Sequence, residues 1–241
     1  MFFISLQARV FNIWQRGKGG VKTSPFNIIF LMSEFLIPTA DQLKSGIEAF
    51  YKNERRSVDY FKAISHINKN WGIADEMATG ASILLHSWHM YFYSFGDFSF
   101  FDLSNSISKN ISILEIFRER NILDFCHKDK EPILLLFKDF LDALKRKNKR
   151  ESRSAVSVAK TIHLFAPNFF PLWDGSISLA YGTFCGEPYS GTYEYITFCF
   201  KIQEVIKSIS EYDIVKNPEP KRSSIKILDE YNYSKYTKHW I

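Results

Sequence analysis

The sequence predicts an all-α protein, a single domain of about seven or eight helices. Three observations lead there. Apolar side chains recur three and four residues apart in segment after segment, no run alternates apolar and polar residues as a half-buried strand does, and no stretch repeats another.

Asp41 is placed to cap a first helix whose apolar face carries Leu43, Ile47, Phe50 and Tyr51. A second starts near Ser57 and carries Tyr60, Phe61, Ile64 and Ile67 on one face. Asp75 would cap a third, through Met77, Ala78, Ala81, Leu84, Leu85, Trp88 and Tyr91; apolar almost all round, it is expected to be central. Residues 96–108 mix Asp, Ser and Asn with phenylalanines and read as a packed loop. Helices follow over 111–120 and 132–144, the latter opening on Pro132, whose missing N–H costs nothing in a first turn. Residues 155–165 form another, stopped by Pro167. A short helix runs from Asp174 towards Gly182, and a long one over 193–209 carries Ile196, Phe200, Ile202, Val205, Ile206 and Ile209.

The helical domain is expected over 32–216. Residues 1–31 read as an extension: 16–23 are glycine-rich and basic, and Met32 offers an alternative start of translation. Lys18-Gly19-Gly20-Val21-Lys22-Thr23 resembles a phosphate loop but lacks the glycine before its Lys-Thr pair, so a basic loop is the simpler reading. Residues 217–241 read as a tail docking on the domain, with Tyr231, Tyr233, Tyr236 and Trp240 interleaved with Lys235 and Lys238; rings so placed either pack or stack on bases.

Composition narrows the function classes. Hydrophobic residues at 46% and charged ones at 24% of 241 positions exclude bulk disorder. The net charge of +5 permits a polyanionic partner without demanding one. The three cysteines, Cys126, Cys185 and Cys199, cannot build a four-thiolate cluster and include no CxxC pair; they fit a reducing compartment, and no metal or other cofactor is implied. No apolar run reaches the roughly 18–20 residues of a membrane span. The expected location is cytoplasmic, with no membrane and no obligate protein partner.

One stretch hints at chemistry. Six of the nine residues over 145–153 are basic: Lys145, Arg146, Lys147, Lys149, Arg150 and Arg153. They fall in a turn between two apolar helices, where a phosphate backbone would relieve their repulsion; a solvated loop is the competing reading. The next helix has small residues at Ser154, Ala155 and Ala159, which allow close approach to a neighbour. Then comes Phe170-Pro171-Leu172-Trp173-Asp174-Gly175-Ser176-Ile177, a rigid bend ending in a carboxylate.

This arrangement resembles the helix-hairpin-helix DNA glycosylase superfamily, most closely its adenine-mismatch branch, over roughly 30 residues. The resemblance implies a glycosylase-like helical fold, DNA as partner, and hydrolysis of an N-glycosidic bond. Asp174 would take the place of the catalytic aspartate, and Ser157, two before Ala159, the position that carries a Schiff-base lysine in other branches. The family's hairpin glycines and iron–sulfur cysteines are absent, so the six cations of the basic turn would grip the strand instead; Lys160 is either a further strand-contacting cation or, by default, a surface residue. Trp173 would shape the pocket and His163 would stand near Asp174 as structural partner or proton shuttle. The expected geometry is an open cleft with Asp174 at its floor and the basic turn on its rim.

Plainer readings compete. Asp174 is an ideal N-cap, a role that stabilises by about 1 kcal/mol without any catalysis. His86 and His89 stand three apart, as metal ligands do, but are more simply hydrogen-bonded core histidines. Glu76 is a weaker candidate for a second acid. Two alternatives to the enzyme follow: a non-catalytic helical module binding nucleic acid or protein through the basic turn, and a helical domain whose Asp174 segment is architectural.

Overall fold

The structure, a computed structural model, describes residues 37–148, 151–218 and 220–241. The expected extension 1–31, its phosphate-loop-like string and Met32 lie outside the described residues. The chain divides at Ile37, and Pro38–Ile241 form one compact unit. Among the described residues there is no β-strand, and no helix is long and apolar enough to cross a membrane.

Among the described residues, eleven α-helices build the unit: α1 (Ala40–Asn53), α2 (Ser57–Lys69), α3 (Ala74–Trp88), α4 (Met90–Tyr93), α5 (Phe100–Arg118), α6 (Lys130–Ala143), α7 (Ala155–Phe165), α8 (Gly175–Ala180), α9 (Ser190–Ile209), α10 (Asp213–Lys216) and α11 (Ser224–Asn232). A π-helical turn, Tyr233–Thr237, follows. The all-α expectation holds. The three helices beyond the expected eight are the short α4 and α10, and α11, which occupies the stretch read as a tail.

Several local expectations are corrected. Thr39, not Asp41, caps α1, in a reciprocal box with Gln42. Asp75 lies inside the first turn of α3 and accepts from the Ser104 hydroxyl rather than capping. Most of the expected loop at 96–108 is helical, because the Ser99 hydroxyl accepts from the Asp102 N–H and starts α5 early. The central helix is α7, not α3. All eleven residues of α7 are buried, and it touches α2, α3, α5, α6 and α9. α3 instead turns a polar face outward, with Thr79 and His86 on it.

Small residues permit close helix crossings. A methyl group at Gly191 of α9 would stand 3.1 Å from the Cβ of Ala155, the first residue of α7. One at Gly46 of α1 would meet Tyr231 of α11 at 2.6 Å. α11 is therefore clamped to the body, with residues Ile225 to Asn232 buried, Lys226, Asp229 and Glu230 among them.

Those charges are partnered. Arg222 Nε lies 3.0 Å from Glu230 Oε2, with both side chains almost wholly buried, and the Tyr51 hydroxyl donates to the other Glu230 oxygen. Lys226 Nζ lies 2.8 Å from Asp229 Oδ2 and stands over the rings of Phe50, Tyr60 and Trp88. Burial raises the Glu230 carboxyl even so, against the pull of Lys226 and Arg222.

Candidate active site

The site begins with the chain's reversal after α7. Ala166 ends that helix, and the backbone bends through Phe169 and Phe170, both fully buried. His163 holds the bend. Its Nδ1–H donates to the Phe170 carbonyl at 2.6 Å, which leaves Nε2 to accept from the Tyr60 hydroxyl at 3.0 Å. Burial drives its pKa down to about 3, so the ring is neutral. Tyr195 donates to the Pro171 carbonyl at 2.8 Å. The Phe-Pro-Leu-Trp segment is thus pinned on both sides, and Asp174 emerges at a fixed place.

Asp174 has extended backbone geometry and is half-buried. Its Oδ1 accepts from the Ile177 N–H at 2.8 Å, the cap of α8. Its Oδ2 accepts from the Thr237 hydroxyl at 2.9 Å, a contact reaching across from the π-helical turn. Capping and exposure to a ligand coexist here, because each carboxylate oxygen keeps a further lone pair.

Beside Asp174 lies a cavity of about 30 Å³. Phe50, Trp88, Trp173 and Tyr233 give it aromatic walls, with Leu172 and Ile177. Its polar lining is Glu54, Arg56, Lys160, Asp174 and Asp229. Arg56 is committed: it binds Glu54 in a fork at 2.8 and 2.7 Å and also reaches the Tyr233 hydroxyl. Burial pushes the Glu54 carboxyl up, but the Arg56 hydrogen bonds overcome it and hold the group down at about 2.

Lys160 is not committed. It is 8% exposed, and its one hydrogen bond among the described residues goes to the Trp88 carbonyl at 2.7 Å. Two of its three N–H donors stay available to a ligand. Burial lowers its pKa to about 8, against the opposing pull of Asp174 and Asp229.

The expected site residues therefore divide. Asp174 and Trp173 line one cavity, and Lys160 joins them as a lining amine rather than a surface cation. His163 and Ser157 are fully buried and do not line it. Both ring nitrogens of His163 are taken, by the Phe170 carbonyl and the Tyr60 hydroxyl, so it makes no hydrogen bond to Asp174. The other candidates are structural: His86 pairs with Asp97, His89 with the Ser154 hydroxyl, and His66 with Glu76.

None of the described residues of the basic turn lines the cavity. Lys145 pairs with Glu151 at 3.3 Å, Lys147 with Asp102 at 3.3 Å and Arg153 with Asp142 at 2.9 Å. Arg146 is folded inward, donating to the Phe92 carbonyl and the Ser152 hydroxyl, with its guanidinium over Phe92 and Phe95. Lys149 and Arg150 lie outside the described residues.

Sequence reasoning missed Asp229, Glu54, Trp88 and Thr237 as site residues, and offered Tyr233 only as a tail ring that packs or stacks. A signal existed for Asp229: Lys226, Asp229 and Glu230 interrupt the helical pattern of Ile225, Ile227, Leu228 and Tyr231, and charges on so apolar a segment mark a partnered interior. Thr237 had none. No protein-family model, curated protein or solved structure matches this chain.

Proposed function

We propose that this protein hydrolyses an N-glycosidic bond, with Asp174 at the reacting sugar. The observation that carries the reading is the shared cavity: a carboxylate fixed through both oxygens, an uncommitted lysine and four aromatic walls. The resemblance over Phe170 to Ile177 agrees with it.

The chemistry suits these groups. As the bond between the anomeric carbon and the base nitrogen breaks, its electron pair leaves with the base and the sugar gains oxocarbenium character. Asp174 balances that charge and takes the proton of the attacking water, whose oxygen bonds to the anomeric carbon. Lys160 supplies the proton to the departing nitrogen and regains one from solvent. Aromatic walls hold a planar base.

The test is incubation with a panel of free nucleosides and of oligonucleotides carrying damaged or modified bases, scored for released base. Asp174→Asn keeps the helix cap, because Asn caps as well as Asp, and abolishes release. Unchanged release in that variant, or none from any substrate with the native protein, rejects the reading.

One observation favours a second reading, a non-catalytic module binding nucleic acid. Tyr91 is 81% and Phe101 71% exposed on the segment against which Arg146 packs. Such rings beside a basic turn suit stacking on unpaired bases. Binding that is indifferent to salt rules it out.

A further inference from the structure

We infer that residues 237–241 form a lid that holds this site closed and must lift before a substrate binds. The inference rests on the glycosidic reading above and names how that site is regulated.

As it stands, the cavity has room for about one or two waters, far less than a sugar and a base occupy. Most of its walls are held in place. Phe50, Leu172 and Trp173 are buried, and Trp88 donates to the Arg56 carbonyl at 3.0 Å. The Tyr233 hydroxyl bridges Glu54 at 3.0 Å and Arg56 at 2.9 Å. Lys160 rises from the central α7, and Asp229 is tied to Lys226 at 2.8 Å. None of these groups yields space without disrupting the body. Room has to come from a side that can leave.

Residues 237–241 are that side. Thr237 sits on Asp174, donating to its Oδ2 at 2.9 Å. Lys238 stands 5.6 Å from the centre of the Tyr233 ring, and Trp240 meets the same ring edge-on at 5.9 Å. Thr237 and Trp240 are only half-buried, and Lys238, His239 and Ile241 are exposed, although Ile241 reaches back towards Gly46. Backbone bonds tie the segment down at two points. The Lys238 N–H donates to the Tyr233 carbonyl at 3.0 Å, closing the π turn, and the Trp240 N–H donates to the Ser234 carbonyl at 2.9 Å. A π turn is a rare, short element often found at functional sites. His239 stands at φ +54°, a left-handed backbone that few residues with a Cβ adopt. Just upstream, Ser234 is fully buried and donates to the Gly46 carbonyl at 2.8 Å. The lid therefore turns about an anchored point, and α11 keeps Asp229 where it is. Lifting frees Asp174 Oδ2 and vacates the volume of the Thr237, Lys238 and Trp240 side chains, while Tyr233 stays as a wall.

Three measurements on the full chain test the lid. In the native protein, the amide hydrogens of Lys238 and Trp240 should exchange about 100-fold or more faster than those of α7, through local opening. Trinitrobenzenesulfonate should label Lys160 slowly beside the exposed Lys44. In Thr237→Val, which removes one hydrogen bond of the lid, Lys160 should label about fivefold faster. Thr237→Ser keeps the hydroxyl and should label at the native rate, and Trp240→Ala should behave as Thr237→Val does, with thermal melting checking each fold. Base release should rise together with labelling. If a variant fails to fold, exchange in the native protein decides alone. Exchange of the two amides only on global unfolding, labelling unchanged in both variants, or labelling that rises while release stays at the native rate overturns the lid. Faster labelling with no release from any substrate keeps the lid and rejects the glycosidic reading.

Discussion

At the scale of single residues, Lys160 makes the sharpest prediction. A lysine acting as acid must be protonated, and burial brings its pKa to about 8. Base release should fall as pH rises through that value, and this limb should vanish in Lys160→Met. The same change should raise the melting temperature at neutral pH, because the folded chain no longer holds an ammonium that burial disfavours. In the native protein the unfolded chain binds more protons between about 8 and the ordinary 10.5, so stability should climb with pH across that window. A variant that melts lower while keeping its alkaline limb removes Lys160 from the chemistry.

His163 predicts the opposite limb. Burial holds both His163 and His89 down at about 3, the latter aided by Lys160, whereas an unfolded histidine titrates near 6.5. Below that pH the unfolded chain binds protons that the folded chain refuses. Each group should then cost about 1.4 kcal/mol of stability per pH unit, the loss growing from pH 6.5 down towards 3. His163→Ala, which strands the Phe170 carbonyl and the Tyr60 hydroxyl, should destabilise by about 3 kcal/mol and flatten part of that slope. Chemical denaturation between pH 4 and 8 reads both effects.

At the scale of elements, legibility followed the locality of the signal. The bounds of α7 and the short α8 after Asp174 could be read directly, since Ser154, Pro167 and Asp174 punctuate them within the segment itself. The start of α5 was misread because phenylalanines among Asp, Ser and Asn suggest a loop until the Ser99 cap is recognised. The centrality of α7 could not be read from its own pattern, because the residues enclosing it come from five other helices. The same holds for the site. Asp174 and Trp173 announced themselves in one motif, whereas Asp229 and Thr237 arrive on a segment more than fifty residues later.

α11 carries the element-scale predictions. Gly46→Ala would push a methyl group against the backbone of Tyr231 as well as its ring, which flexible side chains cannot relieve. It should cost about 1–3 kcal/mol, as overpacking does. Arg222→Met leaves Glu230 buried without its closest cation, and removing one partner of a buried pair costs about 3–5 kcal/mol. Both changes loosen the segment that delivers Asp229, Tyr233 and Thr237, so base release should fall along with melting temperature. A large loss of stability with full activity would show that α11 supports the body without forming the site.

At the scale of the whole molecule, the net charge of +5 and the dense basic turn invite a nucleic-acid reading, yet charge sums say little about which groups are free. Three of the four described cations in that turn already face acids, and the fourth lies over phenylalanine rings. Exposed pairs of this kind are worth only about 0–1 kcal/mol each, so a polyanion could compete for them. The turn and the cavity therefore predict separable behaviour. Replacing Lys147 and Arg153 together by Glu reverses two charges at positions that do not line the cavity. Base release from free nucleosides by that variant should stay within about twofold of native, and its rate should be flat with salt, since no counterions are displaced from a phosphate backbone. Any weak binding of oligonucleotides should drop in the same variant. A hydrolysis rate that falls steeply with salt, and falls again when the two charges are reversed, would instead place the substrate's phosphates on the turn and return the protein to strand chemistry.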